Sequence, residues 1–167
     1  PIRRTLLFIA KVAAVIAIPL LIGIQVHLYI TNDELNKFIG QQLAIQVESG
    51  EKASITLPDG TKAYLNAATS LSYPSDFGLN QREIYLTGEA YLEVAKDAEK
   101  PFHVHTDEVE IEVLGTKFNV SSYPDQGEVE TTLIEGSVKL TTKNNSQHSV
   151  IMQPNQKVIY SKKNRQL

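Results

Sequence analysis

The stretch V-E-I-E-V-L-G-T-K-F-N-V, Val109 to Val120, decides the fold. Val109, Ile111 and Val113 alternate with glutamates, the period-two pattern of a strand with one buried face. Past Gly115 the apolar positions are Phe118 and Val120, so the buried parity moves from odd to even. Such a slip requires a bulge or sharp bend at Leu114-Gly115-Thr116, and glycine supplies the needed dihedrals without a Cβ clash.

The neighbouring sequence reads the same way. "ASITL" leads to Pro58-Asp59-Gly60 and then "TKAYLNA", a hairpin signal. "IQVES", "LSYP", "REIYLTGEAYLEV", "PFHVHT", "TKFNVSSY", "GEVETTLIEGSVKLTT" and "KVIYS" complete a count of about ten strands, with no helical pattern after Leu43. This predicts an all-β, antiparallel two-sheet sandwich or barrel-like domain. Leu57, Leu65, Leu71, Ile84, Leu86, Leu92, Val94, Phe102, Val104, Phe118, Val120, Leu133, Val138 and Leu140 are its expected core. "LTGEAYLEV" and "LIEGSVKLT" align on Gly88 and Gly136. Shared corner chemistry explains that likeness more simply than a duplication.

Ahead of the strands, Leu6 to Ile30 holds one charge, Lys11, over a length that suffices to cross a bilayer. Lys11 can snorkel to the interface, and a kink at Pro19 is tolerated mid-span. Arg3, Arg4 and Lys11 precede the apolar core while Asp33 and Glu34 follow it, which puts the N-terminus in the cytoplasm and the strands outside. A cleaved signal peptide would need a small-x-small site, which is not found after Ile24, and a buried core helix is the other alternative. The first residue is Pro1, so further sequence is expected upstream. The expected division is a span over 1–30, a juxtamembrane linker over 31–46, the β domain over 47–160 and a basic tail over 161–167.

The 167 residues carry a net charge of -3 and include no cysteine and no tryptophan. Disulfides, thiolate metal sites and cysteine nucleophiles are thereby excluded. Arg3, Arg4, Lys11, Lys162, Lys163 and Arg165 lie at the ends; without them 10 basic residues face 19 acidic ones, about -9 for the middle. That sign argues against nucleic acid as a partner. His103 and His105 share a strand face, and with Glu110 they have the spacing of a metal pair, but no third histidine follows Pro154-Asn155-Gln156 and a solvated face is the plainer reading. Asp107, Glu108, Glu110 and Glu112 read as the wet face of an edge strand. No phosphate loop or nucleophile elbow is present, so neither enzymatic activity nor a cofactor is expected.

Taken in order, "LPDGTKAYLNAATSLSYP", "LTGEAYLEVAKDAEKPFHVHT", "VLGTKFNVSSY", "TLIEGSVKL" and "MQPNQKV" resemble the FecR family of membrane-bound anti-sigma factors, in its Bacteroidetes-type branch, over Val47 to Tyr160. The family's Pro-Gly-Gln is Pro154-Asn155-Gln156 in this chain, and asparagine is the next best residue for a left-handed bend. The resemblance implies a single-pass protein of the bacterial inner membrane with its main domain in the periplasm. It implies two partners, an extracytoplasmic-function sigma factor held by a cytoplasmic segment and the signalling domain of an outer-membrane TonB-dependent transporter met by a C-terminal domain. Both segments would lie beyond residues 1 to 167. It also implies a relay that ends in proteolysis near the span, where Pro19 and Gly23 loosen the helix. A membrane-tethered β domain with a structural or envelope-assembly role is the alternative.

Some members of that family break their chain at a Gly-Thr pair, which makes Gly115 and Thr116 a candidate self-cleavage site. The Thr116 hydroxyl would attack the Gly115 carbonyl, and water would open the resulting ester. His103 or His105 would serve as base if within hydrogen-bond reach. A purely structural bend is the competing reading.

Overall fold

The computed structural model describes residues 18–29, 41–143 and 148–166 and divides into two compact units, Pro1–Gln41 and Gln42–Leu167. In the first unit, residues 18–29 form a helix whose side chains are all exposed. Among the described residues no helix is long and apolar enough to cross a membrane. The rest of the expected span, with Lys11, lies outside the described residues.

Twelve strands build the second unit: β1 (Gln42–Val47), β2 (Ala53–Thr56), β3 (Lys62–Leu65), β4 (Thr69–Pro74), β5 (Arg82–Glu93), β6 (Phe102–His105), β7 (Val109–Val113), β8 (Lys117–Ser122), β9 (Glu128–Glu135), β10 (Val138–Thr142), β11 (Ser149–Met152) and β12 (Lys157–Ser161). They form a nearly closed, barrel-like arrangement of two sheets. One runs β1-β4-β5-β6-β7-β10-β11 and the other β2-β3-β5-β8-β9-β12. The long strand β5 belongs to both. Residues 82–87 pair in the first sheet and 88–93 in the second, and the division falls at Gly88 with φ 109°. A Cβ on Gly88 would lie 2.7 Å from the Thr69 Cα, so only glycine permits this crossing.

Two further corners change the parity. β7 ends in the first sheet and β8 begins in the second, across Gly115 with φ 142°. β9 lies in the second sheet and β10 in the first, across Gly136 with φ 98°. The odd-to-even slip is therefore where one sheet hands the chain to the other. Asn155, in the turn before β12, takes φ 67°, so the glycine-like bend survives the substitution.

All the residues expected inside are buried, from Leu57 to Leu140. Met152 and Tyr160, absent from that expectation, are also buried. Four expectations need correction. The sheet is not wholly antiparallel, because β6 runs parallel to β5, pairing Arg82 with Phe102 and Tyr85 with His105. A parallel pair needs a crossover, and the second half of β5 provides one by leaving for the other sheet before the chain returns. "GEVETTLIEGSVKLTT" is two strands rather than one, since Gly136 sends its halves to different sheets. Finally, β11 pairs with β10 where no strand was expected, and β1 begins at Gln42, within the stretch read as linker.

Candidate functional site at the Gly115-Thr116 corner

Residues 95–100, between β5 and β6, lie as a strap against the Gly115 corner. The Val94 amide donates to the Thr116 carbonyl at 3.0 Å and the Asp97 amide to the Leu114 carbonyl at 3.0 Å. A Cβ on Gly115 would sit 2.8 Å from the Lys96 Cα, so the strap and the missing side chain are two sides of one fit. Thr116 is buried, and its Oγ1 donates to the Ser137 carbonyl at 2.9 Å. That oxygen would be 2.8 Å from a Cβ on Gly136. The two parity-changing corners thus pack on each other.

Arg82 holds the strap from beneath. Its side chain is 2% exposed, and its guanidinium donates to the carbonyls of Ala95 at 2.9 Å, Asp97 at 3.2 Å and Lys100 at 2.8 Å from Nε. The counter-charge is Asp59, whose Oδ2 lies 3.1 Å from Nη1. Asp59 also accepts from the Thr61 amide and hydroxyl, so the β2-β3 turn and the strap share one anchor. A buried cation persists only when paired and hydrogen-bonded, and this one is. In the sequence Asp59 reads as a hairpin residue and Arg82 as the start of a strand. The signal was present: Arg82 has the inward parity of Ile84 and Leu86, so it had to point into the core and find an anion.

Self-cleavage requires a base for the Thr116 proton. His103 Nδ1 instead lies 3.1 Å from Glu110 Oε1, and His105 Nε2 lies 3.7 Å from Glu83. His105 stacks on Tyr85 with ring centroids 5.0 Å apart. The structure therefore leaves both histidines on the outer face of the first sheet, each facing a glutamate rather than Thr116. Two acids line the cleft beside the corner, Glu112, which pairs with Lys139 at 2.9 Å, and Asp97. The backbone amides of Lys100 and Glu99 donate to its carboxylate and hold it below its ordinary range, which makes it a poor proton acceptor. Thr116 is thus positioned as a clamp between corners, with its hydroxyl proton directed at Ser137. Glu110 and Glu112 line the outer face of β7, but β7 is not the edge strand expected: it pairs with β6 on one side and β10 on the other, and the two glutamates bind His103 and Lys139 on those neighbours. Among the described residues no group of three or more His, Asp or Glu is arranged to hold a metal ion.

The profile of the FecR protein family matches residues 44–139. The chain belongs to the FecR family. Two solved structures share the fold of this FecR domain, both described as a "putative anti-sigma factor" from Parabacteroides distasonis ATCC 8503. The first, at 2.50 Å resolution, is 32% identical with a TM-score of 0.71 and covers 75% of this chain and 58% of its own. The second, at 1.65 Å, is 33% identical with a TM-score of 0.70 and covers 74% and 57%. The chain thus spans less than two thirds of the length of these relatives. No curated protein matches it. The matched residues run from β1 to β10 and include all three glycine corners and the Arg82 anchor.

Proposed function

We propose that this FecR domain is the periplasmic relay part of an anti-sigma factor tethered to the bacterial inner membrane. The likeness to two solved structures described as putative anti-sigma factors, at about one third identity over three quarters of the chain, carries the reading. The apolar segment supports the tether: Ile18, Leu20, Leu21, Ile22, Ile24, Val26 and Leu28 are exposed around the helix, and a helix apolar on all sides suits a lipid surrounding. The partners proposed with it are an extracytoplasmic-function sigma factor on the cytoplasmic side and the signalling domain of a TonB-dependent outer-membrane transporter on the other. Both would be engaged by segments of the longer protein outside these residues. The proposed role is regulatory, in keeping with the FecR family match and with the anti-sigma factor description of the solved relatives.

Two measurements test this. An alkaline carbonate wash should leave the protein with the membrane, and its release would remove the tether. Deleting the gene should change transcription of a linked transport operon under inducing conditions. Unchanged transcripts would favour the structural alternative, a tethered β domain that serves the envelope without controlling a sigma factor.

A further inference from the structure

The outer face of the second sheet carries a shallow groove of about 450 Å³. Tyr64 on β3 and Tyr91 on β5 are cross-strand partners on its floor, with ring centroids 5.8 Å apart and planes inclined at 35°. Beside them stands Glu89, both of whose oxygens are already held. Asn66 Nδ2 donates to Oε2 at 2.8 Å and Asn119 Nδ2 to Oε1 at 2.9 Å. Strands β5 and β8 and the residue that follows β3 therefore contribute one polar row next to two aromatic rings, and Tyr64 remains 42% exposed. Neither the packing of the core nor the Gly115 corner uses this row.

We propose that the groove binds a saccharide, with a pyranose ring lying against Tyr64 and Tyr91 and its hydroxyls bonded to the Asn66-Glu89-Asn119 row. A sugar presents polarised C–H groups on one face, which suit the negative face of an aromatic ring. Its hydroxyls both donate and accept. The row answers in kind: each carboxamide, after giving one N–H to Glu89, keeps a carbonyl acceptor and a second N–H, and Glu89 keeps lone pairs fixed in direction. A groove with a few convergent polar groups on an aromatic floor is the usual form of a small-ligand site. A cationic side chain is the competing occupant, since tyrosines with a carboxylate also attract ammonium and guanidinium groups. Lys52 also lines the groove and disfavours that occupant.

The test uses the full chain in lipid nanodiscs, because detergents with sugar headgroups would compete. Soluble hexasaccharides of glucose and of N-acetylglucosamine are titrated while the tyrosine ring and asparagine amide resonances are followed by NMR, and purified peptidoglycan is used in a sedimentation assay. Saturable shifts of Tyr64, Tyr91, Asn66 and Asn119, weakened at least tenfold in Tyr64→Ala and in Glu89→Gln, are expected. Binding to the soluble sugars alone would identify a free oligosaccharide as the source, and co-sedimentation alone a wall polymer. Tyr64 is surface-exposed, so its variant should keep the wild-type melting temperature. Absence of shifts with every sugar at millimolar concentration, together with no co-sedimentation, overturns the proposal. So do shifts at these residues given only by an arginine-rich peptide. The outcome does not depend on whether the chain controls a sigma factor.

Discussion

Thr116 Oγ1 donates to the carbonyl of Ser137 at 2.9 Å, and this bond ties the corner that leaves the first sheet to the corner that returns to it. Thr116→Val keeps the volume and removes the donor. We expect a loss of about 0.5–1.5 kcal/mol in urea denaturation, the net contribution of one hydrogen bond whose acceptor lies on an exposed residue, and near-complete recovery in Thr116→Ser.

The same hydroxyl sets the expectation for self-cleavage. With the Thr116 hydroxyl donating to the Ser137 carbonyl and both histidines facing glutamates, the purified full chain should keep a single intact mass on long incubation. Two fragments, the second beginning at Thr116, would establish cleavage, and Thr116→Ala should then restore one chain.

Gly115→Ala should be far more costly than Gly127→Ala. The first places a Cβ 2.8 Å from a backbone atom of the strap at φ 142°, while the second meets nothing within 4 Å. Strain of this kind costs on the order of 1–3 kcal/mol before the clash is counted. Thermal melts of the two variants side by side check the difference, and equal melting temperatures would disprove the fit described for the corner.

Arg82→Met removes the charge that joins the β2-β3 turn to the strap and leaves Asp59 and three carbonyls short of a donor. Breaking a buried pair from one side costs about 3–5 kcal/mol. Hydrogen exchange adds a local readout: the Asp97 amide, bonded to the Leu114 carbonyl, should lose protection first. Uniform loss of protection would mean that Arg82 supports the whole fold rather than the strap.

His105 gives a pH dependence. Burial lowers its pKa from the ordinary 6.5, outweighing Glu110 and Glu83, which raise it; Lys143 and His103 lower it further, and the Tyr85 ring covers it. The folded state therefore binds the proton less readily than the unfolded chain. Stability is full above pH 6.5 and declines as the pH falls below it toward the folded value. Denaturation midpoints across that range should show the decline, and His105→Gln should flatten it. An unchanged slope in that variant would assign the effect to other groups.

Much of this was decided by the order of residues alone. Alternation of apolar and charged side chains fixes which face of each strand is buried, because the pleat has a period of two, and this is why Phe118, Val120 and Leu140 could be placed inside without coordinates. The parity slip at Gly115 likewise marked a corner, since a strand cannot change its buried face without one. Pairing partners are different. They depend on which strand edges are free once the chain has folded back, a non-local matter that no window of sequence contains, and so the parallel β5-β6 pair and the pairing of β11 emerged only in three dimensions. The same holds for the sites. A glycine-threonine pair is legible, but whether a base reaches it depends on histidines a sheet away, and the tertiary structure turned them toward Glu110 and Glu83. Tyr64, Glu89 and Asn119 lie on three strands and become neighbours only because the sheet sets them side by side.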